Sequence, residues 1–514
     1  MTLVPSIIGA MKLMPDTLPL AIYSSAQVRE LDRIAIEQYG IAGYELMCRA
    51  GDAALSVLTK HWPTTQRILI YCGAGNNAGD GYVLGRLALE HGLSARIVTL
   101  IAPEELSGDA ATAWRDCSDA GVVIEPWQEE AQRANSAADV IVDALLGTGV
   151  DRPLQGVFAD AVQRMNADPA PVLSLDLPSG LDADSGAVLG EAVHADVTVT
   201  FVGLKQGSYL GLGPDYCGRL AYSDLDIPPA AGASLTPHLK RASCSDLNDA
   251  LPPRRRTSHK GDNGRLLLVG GAPGMSGAIR LAAEAALRAG TGLVYVGTHA
   301  DSVTSVMAGR PEIMCRPIAQ GSELDDMIAL ADAAVLGPGL GQSDWSRAIW
   351  QRMINADIPL IVDADALNLL AQQSISRSNW AITPHPGEAA RLLSIGAAEV
   401  QRDRVKALTA LAEQYRASVV LKGACSLIAT RDAAQHLELT ICDRGNPGMG
   451  SAGMGDVLSG VIGALLVQCG ELSKAVRAGV LLHALAGDDA AADGERGTIA
   501  TDLLPYIRRW ANPR

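Results

Sequence analysis

A chain of 514 residues exceeds what one hydrophobic core ordinarily serves, so two domains are expected. Its formal charge of −15 excludes a nonspecific binder of nucleic acid or anionic membrane, because a polyanion would be repelled. Its 53 glycines punctuate apolar runs within a chain that is 48% hydrophobic and only 4% aromatic, which predicts aliphatic, doubly covered parallel sheets and an α/β class for both halves.

The chain begins with a mildly apolar stretch, Met1 to Ala21, interrupted by Pro5, Pro15 and Pro19, which reads as an irregular extension and not as a signal. No run of about 18 apolar residues follows anywhere, and nine cysteines lack metal-type spacing, so the expectation is a soluble cytoplasmic protein with free thiols and no membrane partner. Helical spacing spans Ser25 to Thr59 with a break at Tyr39-Gly40. Arg67 to Cys72 is a strand that breaks into Gly73-Ala74-Gly75-Asn76-Asn77-Ala78-Gly79-Asp80-Gly81, with a helix resuming at Tyr82. Such a turn presents backbone N–H groups at the carboxyl end of a strand, the usual ligand site of an open α/β sheet. Further strands are predicted over Ala95 to Leu100, Ala138 to Leu146, Pro171 to Leu177 and Ala195 to Val202. Their ends carry Asp143 before Gly147 to Pro153, Asp176 before Ser179, and Lys205. Asn77, Asp143 and Ser179 offer oxygen ligands only, which suits a hard cation of low charge.

The motifs GAGNNAGDG, DALLGTGVDRPLQG and SLDLPSGLDADSG together resemble the epimerase domain of the NAD(P)H-hydrate repair enzymes, over Ser25 to Asp226. The resemblance implies a Rossmann-like fold with potassium held by Asn77, Asp143 and Ser179. It also implies that Asn76, Asn77, Ala78, Gly79, Asp80, Gly147, Thr148, Gly149, Val150, Asp151, Arg152, Pro153 and Asp176 line the hydrated nicotinamide, with Asp176 a candidate acid/base. Ala78 departs from the glycine usual in the family.

The Pro-rich stretch Pro228 to Ala233 sets the expected boundary, giving domains 1–232, ordered from about residue 25, and 233–514. Arg254-Arg255-Arg256 reads as solvated surface. Gly264 to Gly270 is a strand entering a glycine loop and an alanine-rich helix to Arg288. Apolar strands ending in glycine, proline or a charge recur at Ala333 to Gly341, Pro359 to Leu367, Trp380 to Glu388 and Ser418 to Ser426. Lys422 after a strand would bind a phosphate or snorkel to solvent. Near the C-terminus, Gly445 to Asp456 is a glycine-dense loop feeding the apolar segment Val457 to Val467. A helix N-terminus of this kind gathers unpaired amides, those of Ala452 to Gly455, around an anion such as a phosphoryl group. Asp456 beside an anion makes sense as a base, or more simply as an N-cap.

The ordered set HKGDNG, GGAPGMSGA, GPGLG, VDADALN, TPHPGE, LKGACS and GNPGMGSAGMGD resembles the ADP-dependent NAD(P)H-hydrate dehydratases of the ribokinase-like superfamily, from Ser258 to Leu504. The resemblance implies that Ala278, Gly339, His385 and Asp456 contact the hydrate. Lys422, Gly423, Ala424, Cys425, Ser426 and Gly455 would contact the adenine nucleotide, and Mg2+ would accompany ADP. Ser451-Ala452 stands where many relatives have Thr-Gly. The expected architecture is two three-layer α/β/α domains in a homo-oligomer. The expected function is repair of NADH and NADPH hydrates: epimerisation of R and S forms, then ADP-driven dehydration of the S form. The rival reading is a ribokinase-like kinase of a small metabolite fused to a nucleotide-binding module.

Overall fold

A seven-stranded parallel sheet and a larger, mostly parallel one set where every candidate residue lies. The computed structural model describes residues 18–133, 136–233, 235–373 and 375–512. The irregular stretch expected over Met1 to Ala21 therefore lies, up to residue 17, outside the described residues. Compact units divide between Leu239 and Lys240. The Pro-rich stretch lies within the first unit, where Pro229–Gly232 forms one 3-10 turn and Ala231 is buried in the core. No helix among the described residues is long and apolar enough to cross a membrane.

In the first unit a short strand β1 (Ala21–Tyr23) precedes helices Ser25–Glu37 and Gly43–His61. Then come β2 (Arg67–Cys72), β3 (Ser94–Thr99), β4 (Val123–Pro126), β5 (Val140–Ala144), β6 (Val172–Leu175), β7 (Val197–Phe201), β8 (Leu204–Lys205) and β9 (Arg219–Ser223). Seven of these form one parallel sheet in the order β4-β3-β2-β5-β6-β7-β9, while β1 pairs with β8. Alternate residues of β2 enter different cores, Ile68, Ile70 and Cys72 on one face and Leu69 and Tyr71 on the other. That alternation is the period of a strand covered on both faces, and it makes the unit three-layered. Strand order reverses between β2 and β5, so a crevice opens at their carboxyl ends.

One boundary differs from the sequence expectation. The helix after β2 begins at Asn76, not Tyr82, and runs to Glu90. Gly75 alone makes the turn, with φ of +80°. Gly79 and Gly81 lie inside the helix because neighbours leave no room, a Cβ at Gly81 falling 2.6 Å from Ala144 Cβ. Asn76 to Asp80 thus stand on a rigid first turn and not on a loop.

The second unit continues with β10 (Leu239–Arg241), β11 (Arg265–Gly270), β12 (Leu293–Thr298), β13 (Met314–Pro317), β14 (Ala333–Leu336), β15 (Leu360–Val362), β16 (Trp380–Ile382), β17 (Ser418–Leu421), β18 (Ser426–Arg431) and β19 (Leu437–Cys442). Its strand order is β13-β12-β11-β14-β15-β16-β17-β18-β19-β10, parallel except for the antiparallel run β17-β18-β19. Here order reverses between β11 and β14. Leu266 and Leu268 of β11 face a core made with helices Ser276–Arg288, Met454–Cys469 and Leu472–Ala490, while Leu267 and Val269 are equally buried. Helix Met454–Cys469 starts inside the stretch read as loop, so Asp456 belongs to its first turn.

Close packing of that helix depends on Gly460. A Cβ there would lie 2.1 Å from the Ala282 carbonyl oxygen. Glycine normally costs a helix interior about 1 kcal/mol relative to alanine. Gly460→Ala should nonetheless destabilise the protein, by about 1–3 kcal/mol, read as a lower urea midpoint for the second unit; a raised midpoint would contradict this packing.

Candidate active sites

At the β2/β5 crevice of the first unit, Asp176 follows β6 with φ of +66°, a left-handed conformation that aspartate adopts at some cost. Its amide donates to the Val199 carbonyl at 2.7 Å, which fixes the turn and aims the carboxylate. That carboxylate meets the Lys205 ammonium, which is 1% exposed. Lys205 also donates to Thr200 Oγ1 at 2.9 Å and the Phe201 carbonyl at 2.7 Å, so all three of its protons are used. Two more carboxyls share this ammonium's field. Burial pushes Asp32 up to about 6 against the lowering effect of Lys205. Asp80 rises well above the ordinary range through burial, then through Asp176 and Asp32.

The loop after β5 joins this group. A Cβ on Gly147 would lie 3.0 Å from Asp176 Oδ2 and 3.6 Å from Asn77 Cγ, so Asn77, Gly147 and Asp176 converge. Thr148 and Val150 are half-buried, and Gly149, Asp151, Arg152 and Pro153 are exposed on the same loop. Asn76 is exposed beside Asn77. Ala78 is fully buried and Gly79 faces Met47, so these two offer a ligand little beyond backbone. Ala78 is helical, and its extra methyl packs into the core without strain.

Asp143 is fully buried and accepts from Leu145 N (3.2 Å), Ser174 Oγ (2.9 Å), Ser179 N (2.8 Å) and Ser179 Oγ (2.6 Å). Every partner is neutral, and burial holds its pKa above the ordinary value. Both side-chain polar atoms of buried Asn77 lack a hydrogen-bond partner. A buried carboxylate without counter-charge and an orphaned amide oxygen at neighbouring strand ends fit a monovalent cation held by oxygens. Among the described residues no cluster of His, Cys, Asp and Glu fits a zinc-type ion.

In the second unit the site forms around the start of helix Met454–Cys469. Gly453, with φ of +90°, is its N-cap and supplies no side-chain cap, so the first-turn amides remain open to a ligand. Ser451 Oγ donates to the Thr498 carbonyl at 3.1 Å. Lys422 Nζ lies 2.8 Å from Asp363 Oδ1 and 3.8 Å from Glu388 Oε2. Ser459, one turn along the helix from Asp456, donates to Asp363 Oδ2 at 2.6 Å. A Cβ on Gly455 would sit 3.4 Å from Lys422 Nζ and 3.9 Å from Asp363 Oδ2. Burial alone would raise Asp363, but Lys422 more than offsets it and Asp363 stays ionised. Burial, then Asp363, push the Asp456 carboxyl up to about 7 against Lys422. Lys422 thus neither snorkels nor stands free.

His385 caps helix Pro386–Leu393, accepting from Gly387 N at 3.0 Å, while its own amide donates to Glu388 Oε2 at 2.8 Å. Burial and Lys422 lower its pKa. At the β11/β14 reversal, a Cβ on Gly339 would lie 3.2 Å from Ala278 Cβ, bringing those two candidates together. Gly341 N donates to Asp365 Oδ2 at 2.8 Å, and Asp365 is a further carboxylate that raises Asp456. Gly423 to Ser426 form a tight turn between β17 and β18, with Ser426 Oγ donating to the Gly423 carbonyl at 3.2 Å.

The sequence reading missed Asp363, Asp365, Glu388 and Ser459 in this unit, and Asp32 as well as the role of Lys205 in the other. One signal was available: Asp32 falls four residues after Val28 and one after Leu31, on the buried stripe of its helix. Titrating the Asp456 carboxyl by 13C NMR, with Asp456→Asn as the blank, should give a midpoint near 7. Because Lys422 lowers that pKa, Lys422→Met should move the midpoint further up; an ordinary midpoint near 4 in the parent would contradict this geometry.

Two family models match separate parts of the chain. Residues 266–509 match the family model described as NAD(P)H-hydrate dehydratase, and residues 43–207 match that of the YjeF-related protein N-terminus. The bifunctional NAD(P)H-hydrate repair enzyme Nnr of Coxiella burnetii is 43% identical over 493 residues, covering 96% of this chain and 99% of its own. Its namesake in Escherichia coli is 41% identical over 508 residues, with 98% and 96% covered. A crystal structure of the Bacillus subtilis ADP/ATP-dependent NAD(P)H-hydrate dehydratase with ATP/Mg2+ is 27% identical, covers 53% of this chain and 98% of its own, and has a TM-score of 0.48.

Proposed function

The chain belongs to the family of bifunctional NAD(P)H-hydrate repair enzymes, and from that premise we propose that it returns both epimers of hydrated NADH and NADPH to the reduced cofactor. In this reading the first unit interconverts R and S hydrates. The second dehydrates the S form with ADP, yielding NAD(P)H, AMP and phosphate. The relatives' names fit repair and not a small-metabolite kinase.

The observation that carries the dehydratase reading is a carboxyl held near 7, Asp456, at an uncapped helix N-terminus beside the half-buried Lys422–Asp363 ion pair. Hydroxide is a poor leaving group, so the hydroxyl must first be converted to a phosphate ester. Asp456 takes the hydroxyl proton, the oxygen attacks the terminal phosphorus of ADP, and AMP departs. The open first-turn amides stabilise charge on the transferring group. Loss of a ring proton and of phosphate then restores the double bond. Ala278, Gly339 and His385 hold the hydrate, and Lys422 to Ser426 with Gly455 hold the nucleotide. Magnesium bound with ADP would neutralise phosphate charge and would be held chiefly by the phosphates, since among the described residues no group of three or more His, Cys, Asp or Glu is placed to hold a metal ion.

In the epimerase unit Asp176 and Lys205 form the acid/base pair, acting on a ring-opened or iminium form of the hydrate. Asn77, Asp143 and Ser179 would hold potassium, which balances the buried charge of Asp143 and fixes the loop that Gly147 to Pro153 present. The support is the orphaned Asn77 amide and the uncompensated Asp143 carboxylate.

One assay tests both halves: mixed hydrate epimers with ADP, followed by recovery of reduced-nicotinamide absorbance. The parent should consume the whole mixture. Asp176→Ala should show a normal fast phase for S and a slow tail for R. Asp456→Asn should lose about 10²–10⁴-fold in both. Consumption of R at the parental rate by Asp176→Ala, or near-parental dehydration by Asp456→Asn, would overturn the corresponding assignment.

A further inference from the structure

Arg404 opens helix Arg404–Tyr415 and is only 7% exposed, yet among the described residues no carboxylate pairs with it. Its Nη1 donates to the Ala424 carbonyl at 2.6 Å and its Nη2 to the Leu421 carbonyl at 3.3 Å. A Cβ on Gly423 would lie 2.9 Å from Nη2, so the guanidinium lies directly against the turn Lys422–Ser426. Its buried Nε has no partner. Among the described residues, the ionisable neighbour that bears on its charge is the Cys425 thiol, itself pushed up to about 12 and so neutral. Asp443, which also acts on Cys425, is already held by Arg241 at 2.7 Å.

Three costs therefore fall on one side chain. Its charge is desolvated, one donor is unmet, and a cation stands at the positive end of a helix, where an anion is favoured. If the residue served only to pin two carbonyls, a neutral donor would do so without the charge. A bound anion against the turn offsets the charge that burial leaves uncompensated and the unfavourable placement at the helix end.

We propose that Arg404 is the counter-charge for a phosphate group of the adenine nucleotide seated on the turn Lys422–Ser426. The inference rests on the assignment of that turn to the nucleotide. Arg404 is a positioning residue: it shapes the turn through two carbonyls and lends the phosphate a positive charge that burial leaves unscreened.

Calorimetric titration of the full chain with ADP and, separately, with neutral adenosine tests this. Arg404→Met should lose about 30-fold or more in ADP affinity while adenosine stays within about twofold, and Arg404→Lys should recover part of the ADP loss. A purely structural arginine would weaken both ligands in parallel; that result, or no change for ADP, overturns the proposal. If Arg404→Met does not fold, the ratio of ADP to adenosine affinity in Arg404→Lys and Arg404→Gln decides, a ratio unchanged in Arg404→Gln overturning it. Hydrogen exchange on the parent separates the two levels. Amides 423–426 should gain protection with ADP; without it the assignment of the turn fails and the inference with it, whereas protection with unchanged variants overturns Arg404 alone.

Discussion

A single half-buried ammonium, Lys422, governs the second unit's chemistry through its 2.8 Å contact with Asp363. Taken alone, the helix start would favour an ionised Asp456, since a carboxylate there faces the positive end of the dipole. The opposite holds because Lys422 is committed to Asp363, which Ser459 also binds, leaving Asp456 half-buried and desolvated among carboxylates that repel its charge. Holding that carboxyl near 7 instead of 3.8 costs the ionised form on the order of 4 kcal/mol. The result is a base whose proton affinity matches neutral pH, where proton transfer from a hydroxyl is most effective.

The first unit follows the same electrostatic plan with different parts. Lys205 is buried and saturated by Asp176, Thr200 and Phe201, while Asp32 and Asp80 share its field. One ammonium cannot compensate three carboxylates, and burial together with the neighbouring carboxylates holds Asp32 and Asp80 above the ordinary range. What differs is the backbone frame. Asp456 sits over open amides that suit a phosphoryl group, whereas Asp176 sits on a left-handed strand end facing the Gly147 loop and the orphaned Asn77 amide.

Much of this was legible in the sequence because strands buried on both faces announce themselves. Arg67–Cys72 and the strand within Gly264 to Gly270 stand out as apolar runs stopped by glycine. The glycine loops marked both sites for the same reason: few other residues let backbone approach a ligand. Asn76 to Gly81 misled because its glycines look like loop, when Gly79 and Gly81 are there to clear Met47 and Ala144 in a helix. Lys422 stood out directly after a strand, but Asp363 after β15 and Glu388 in the helix after β16 gave no sign of partnering it, because that meeting appears only when β15, β16 and β17 lie side by side. Arg404 gave no signal, since nothing in a sequence distinguishes an unpaired buried arginine from a solvated one.

In the proposed function the second unit activates a hydroxyl by phosphoryl transfer and does not expel water directly. Labelling the hydroxyl of the S hydrate with 18O and recovering the products of one turnover with ADP measures this. The account predicts that the label leaves in inorganic phosphate, because the hydroxyl oxygen becomes the bridging oxygen of the ester. Label found in water would contradict it.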